Sequence, residues 1–125
     1  MNDQKNDRED CRRGELDEKV RSTLSRIIRQ RRNQLRASPF GELQRATPIS
    51  LEMETFGDKR LCIAIATDKT NDNISVLLCG FIWTAGRFML FEGFTKHADE
   101  TWTYRIPDDI HSVLQTQIEE NAPVY

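Results

Sequence analysis

An α+β fold is predicted by three observations: apolar residues at helical spacing up to Ser38-Pro39, alternation of period two from Pro48 to about Ile106, and helical spacing again after Pro107. The expected architecture is a five-stranded antiparallel meander with a long N-terminal helix and a short C-terminal helix. At 125 residues the chain fits one domain plus a tail, large enough to bury a core without disulfides or a structural metal.

Residues 1–13 are mixed in charge and poor in apolar side chains, so they are expected to form a disordered charged tail. Residues 14–37 form the arginine-rich amphipathic helix. Leu16, Val20, Leu24, Ile27, Ile28 and Leu35 recur at its spacing, and Glu15, Asp17 and Glu18 sit in the first turn, where the helix dipole favours acids. Ser38-Pro39 ends it, because the residue before proline avoids helical backbone and proline has no N–H to give. The connector 38–48 has a proline near each end and a glycine inside, and reads as a loop with room for one helical turn.

Residues 49–125 hold the sheet and the last helix. ISLEMETF puts Ile49, Leu51 and Met53 on an inner face and Ser50, Glu52 and Glu54 on a wet one. Gly57-Asp58 turns into LCIAIAT, 61–67, and the polar DKTNDN leads to ISVLLCGFIWT, 74–84, apolar on both faces as a covered central strand must be. Ala85-Gly86 allows a tight hairpin into RFMLFEGF, 87–94. After KHADE, TWTYRI at 101–106 alternates once more. Pro107-Asp108-Asp109 opens a helix whose stripe is Ile110, Val113, Leu114, Gln117 and Ile118, and Asn121-Ala122-Pro123 stops it. The element order is similar to that of the small acidic secretion chaperones, which bind partners as dimers, although the helix those carry between the third and fourth strands is missing.

The net charge of −2 hides an asymmetry. Residues 21–36 hold six arginines and no acid, while 37–125 hold seven bases and thirteen acids. The N-terminus has no apolar stretch suited to a signal peptide, and the longest apolar run, Ile74 to Trp83, is half the ~20 residues a membrane helix needs. Three cysteines, Cys11, Cys62 and Cys79, without CxxC spacing fit a reducing compartment. The expected setting is therefore cytoplasmic, or nuclear in a eukaryote, with no membrane partner.

Two surfaces stand out. On a helical wheel Arg21, Arg29, Arg32 and Arg36 share an arc of about 80°, a basic face that could meet nucleic-acid phosphates or dock on the acidic sheet domain. Against nucleic acid, the span has no aromatic residue to stack bases. Arg31 points into the apolar stripe and needs water or a carboxylate. The second surface is aromatic. Phe88, Phe91, Phe94, Trp102 and Tyr104 are the protein-binding candidates, since both faces of the central hairpin need covering. One face fits under the two helices, and the other needs the remaining chain, a second protomer or a partner protein.

No catalytic, cofactor or metal pattern emerges. His97 and His111 have no ligand spacing around them, Gly80, Gly86 and Gly93 are isolated, and Cys79, the one nucleophile a hairpin could bring near His97, sits in an apolar strand that keeps its thiol protonated. Ser38-Pro39 and Thr47-Pro48, each with an arginine two residues before the hydroxyl, are phosphorylation candidates. The expectation is a non-enzymatic small protein that binds another protein or itself as adaptor, chaperone-like factor or regulator, with no cofactor and no small-molecule ligand. A nucleic-acid-associated regulator using the arginine helix is the alternative.

Overall fold

A computed structural model describes residues 3–83 and 90–121, and side chains from residue 18 onward. The order is α1 (Asp3–Ala37), α2 (Phe40–Arg45), β1 (Ile49–Phe56), β2 (Lys59–Lys69), β3 (Asn73–Ile82), β4 (Leu90–His97), β5 (Trp102–Thr103) and α3 (Asp108–Asn121). The strands make one antiparallel sheet in the order β1-β2-β3-β4-β5, so the fold is the predicted α+β meander with a long first and a short last helix. Among the described residues no helix is long and apolar enough to cross a membrane.

The helix α1 begins at Asp3, well before Glu15, and takes in most of the segment expected as a disordered tail. Three arginines with Gln4, Lys5 and Glu9 lose little rotamer freedom in a helix, and a helix already nucleated by packing further along extends through them at low cost. The single turn expected in the connector is α2, closed by Leu43 N–H and Glu42 N–H donating to Pro39 O.

Every strand alternates between two faces, and the helices lie on opposite ones. On the first, Leu61, Ile63, Ile65, Ile74, Val76, Leu78, Ile82 and Phe94 are buried under Val20, Leu24 and Ile28 of α1 and Leu43 of α2. On the second, Cys62, Ala64, Ala66, Leu77, Cys79 and Phe81 meet Ile106, Leu114 and Ile118. Two glycines mark where the layers close. A Cβ on Gly80 would stand 3.2 Å from Leu24 Cδ2, and one on Gly93 would stand 2.5 Å from Ile106 Cδ1 and 2.9 Å from Val76 O. The expectation that both helices share one face is therefore corrected: a helix on each side covers the central strands, and among the described residues no large aromatic face is left bare there.

In β1, Ile49 packs on the second core and Glu54 is exposed, as the sequence reading has them, but Leu51, Glu52 and Met53 depart from it. Glu52 lies beneath α1, where Arg31 Nε and Nη2 hold its carboxylate at 2.8 Å each. Leu51 and Met53 are 40% and 46% exposed, because α3 packs on β2 and β3 and stops short of the edge. The carboxylate that Arg31 requires is thus supplied by a glutamate assigned to solvent.

Strand β4 is described from Leu90 and runs to His97, three residues past the expected end at Phe94; residues 84–89, with Ala85-Gly86 and Phe88, lie outside the described residues. The fifth strand shortens from 101–106 to two residues. After Thr103 the chain turns off the sheet, since Ile106 must reach the second core beneath Gly93 and Pro107 has no N–H for a ladder.

Candidate functional site

The basic helix face and the aromatic group, separate surfaces in the sequence, meet at one place: the C-terminal half of α1 above β4 and β5. Glu92 of β4 faces α1 and accepts from Arg32 Nη1 at 2.7 Å, with Arg29 Nε at 3.5 Å. Four residues further along α1, Arg36 Nη1 donates to the Tyr104 hydroxyl at 2.5 Å. The guanidinium carbons of Arg32 and Arg36 each lie 4.3 Å from a ring centre, over Tyr104 and Trp102 respectively. The two rings are 4.8 Å apart and tilted by 55°. Such guanidinium-over-ring stacking holds both partners in place and is worth about 0.5–1 kcal/mol at an exposed site.

Trp102 and Tyr104 remain 40% and 49% exposed. They form a fixed aromatic surface rimmed by Arg29, Arg32 and Arg36. Among the described residues Arg29 and Arg32 share the single acid Glu92, and Arg36 meets no carboxylate.

The other candidates are distributed differently. Phe94 is wholly buried beneath α1 and belongs to the core. Phe91 is half-buried on the opposite face, with the His111 ring centre 6.2 Å away. His111, near the start of α3, lines a cleft with Phe91, Gly93, Tyr104 and Ile106. Arg21 is exposed on the N-terminal side of the docked helix. Ser38 Oγ donates to Gln34 O at the α1 C-terminus, where helix carbonyls would repel a phosphate, and Thr47 is exposed.

Sequence reading missed the anchor of this region. Lys96 is only 4% exposed, yet its ammonium is fully satisfied: it donates to Arg36 O at 2.8 Å, to Ser38 O at 2.5 Å and to Glu100 Oε2 at 3.0 Å. It caps the last carbonyls of α1, where the helix dipole favours a cation. Glu100, held at a positive φ of 72° in the β4–β5 turn, also accepts from Phe40 N–H at the start of α2. These two hydrogen bonds, with Lys96 first, hold the Glu100 carboxyl below the usual glutamate range. Thr101 does the same to Asp99 in that turn. Period-two alternation with Phe94 pointing inward already places Lys96 on the helix-covered face, which was the available signal.

Catalytic groupings do not assemble among the described residues. Cys79 pairs across to Phe91 and His97 to Asn73, six residues apart along the ladder and so ~20 Å by strand rise. Burial pushes the Cys62 thiol up to about 11 and the Cys79 thiol up to about 12. His97 Nδ1 pairs with Asn73 Oδ1 at 2.5 Å. No three His, Cys, Asp or Glu side chains among the described residues come together as metal ligands. The likeness to secretion chaperones stays one of element order: no protein-family model, curated protein or solved structure matches the chain.

Proposed function

We propose that this chain is a non-enzymatic cytoplasmic protein that works by binding another protein or itself, and that the Trp102–Tyr104 surface under Arg32 and Arg36 is where it does so. The single observation carrying the reading is that pair of large rings, exposed yet held rigid by stacked guanidinium groups. Trp, Tyr and Arg are the side chains that contribute most at protein interfaces, and rings already ordered in the free protein lose little entropy on binding. Buried, unpaired Cys62 and Cys79 support a reducing compartment, and the separation of Cys79 from His97 along the ladder supports a binding role.

A nucleic-acid role is the second reading, favoured by one observation: the helix has no aromatic residue of its own, but the fold brings Trp102 and Tyr104 to it, as a base-stacking platform requires. Engagement of Arg29 and Arg32 by Glu92 weakens it.

The test places a photo-reactive benzoylphenylalanine at position 102 and irradiates cells that naturally make the protein. Discrete protein adducts or a covalent dimer support the main reading. Adducts containing RNA or DNA support the second, which further requires a slope of log K against log salt of about −2 to −3 for three arginines. Absence of any adduct overturns both.

A further inference from the structure

Strand β5 is too short for its neighbour. It pairs with β4 at Thr95 and Lys96, while β4 continues back to Leu90. His97 N–H donates across this hairpin to Thr101 O, so alternate residues of β4 aim their N–H and C=O toward the same side: Thr95, then Gly93 and Phe91. Thr95 uses its ladder position opposite Thr103. Among the described residues no strand lies alongside Gly93 and Phe91. The chain that could have done so leaves the edge after Thr103, with Arg105 O accepting from Thr95 Oγ1 and Ile106 tucked beneath Gly93. A cleft of about 220 Å³ opens there, lined by Leu77, Phe91, Gly93, Tyr104, Ile106 and His111. It opens on the α3 side of the edge that a longer β5 would have covered.

We propose that this edge takes an extended, acidic segment of a partner protein as an added strand, an inference that rests on the protein-binding reading above. Unpaired backbone donors and acceptors at an open edge select an extended chain. The two faces of the sheet then dictate its side chains. On the α3 side an added strand meets the cleft floored by Phe91 and Ile106, which fits an apolar residue. On the α1 side it meets Arg29, with its side chain 63% exposed, Arg32 and Arg36, three guanidinium groups against the one carboxylate of Glu92, which fits an acid. Residues of a strand alternate between faces, so the ligand alternates apolar and acidic. A second copy is the lesser fit: its own β4 edge, paired antiparallel about a two-fold axis, would bring a second Arg29, Arg32 and Arg36 to the same face, like charge beside like, and its β1 edge, Leu51-Glu52-Met53-Glu54, would join head to tail and add copies successively.

Random 12-residue peptides displayed on phage, selected on the full chain, supply the probes. Selected peptides are expected to alternate acidic and apolar residues, to slow hydrogen exchange at the Phe91 and Gly93 amides at least tenfold, and to bind Arg36→Gln at least fivefold more weakly. Exchange is read on the unaltered protein, so the result stands even where the variant folds poorly. Peptides that bind at Trp102 without protecting those amides overturn strand addition and leave the wider protein-binding reading intact. Selection of no peptide, protection of the amides by a single-stranded oligonucleotide alone, or mass that grows with protein concentration in light scattering also overturns it. The photo-adducts at position 102 decide the wider reading separately.

Discussion

Lys96 shows how much one side chain decides. A lysine with 5% of its side chain exposed would normally be destabilising, but here each ammonium proton has an acceptor, and two of those acceptors are carbonyls at the end of α1. Lys96→Met keeps the length and removes the donors, leaving helix carbonyls unsatisfied. The expected loss is about 3 kcal/mol, read as a lower urea midpoint at unchanged m-value. Glu100 adds a pH dependence of defined sign. Its folded pKa is depressed, so its contribution is present above the unfolded glutamate value and is lost as pH falls through the folded one. In Glu100→Gln the acid limb of the stability curve should flatten in that window, measured by urea titration from pH 6 to pH 3. The buried thiols give a third expectation at this scale. With Cys11 replaced by serine, a disulfide reagent at pH 8 should leave Cys62 and Cys79 unmodified until urea unfolds the chain, because burial keeps both protonated.

Among the elements, β4 bears the tightest constraint. Gly93→Ala drives a methyl group toward Ile106 Cδ1 at 2.5 Å and the Val76 carbonyl at 2.9 Å, and the second of these is backbone that cannot step aside. A cost of about 2–3 kcal/mol is expected, against less than about 1 kcal/mol for Gly80→Ala, whose nearest neighbour is the mobile end of Leu24. Comparing the two denaturation midpoints checks the ranking. Periodicity found the existence and order of all elements because burial imposes a period of two on strands and 3.6 on helices. It misplaced β5 because strand length depends on where Ile106 is needed, a demand set by the far face of the sheet. It misassigned Glu52 because alternation says that two faces differ, without saying which one a helix covers. Arg31 in the apolar stripe was the legible sign that an acid lay beneath.

For the whole molecule, α1 forms the roof of two of the three core clusters, so it is not an appendage to the sheet. Far-ultraviolet dichroism, dominated by helix, and fluorescence of Trp83 and Trp102, placed on and beside the sheet, should trace one coincident urea transition. Separate transitions would show that α1 and the sheet are independent units. The candidate site was legible only in halves. Its arginines and its aromatic residues each stood out in the sequence, but the contacts joining them span up to 68 positions, a separation that no local pattern reports.

That separation has a consequence for synthesis. The helix leaves the ribosome early with Val20, Leu24 and Ile28 uncovered, while Glu92, to which Arg32 is tied, follows 60 residues later. At ordinary elongation speeds the greasy stripe waits about 3–12 s for its bed. A nascent chain halted before Leu90 would present that stripe to any chaperone at the tunnel exit, and truncation after Ile82 should yield an insoluble fragment.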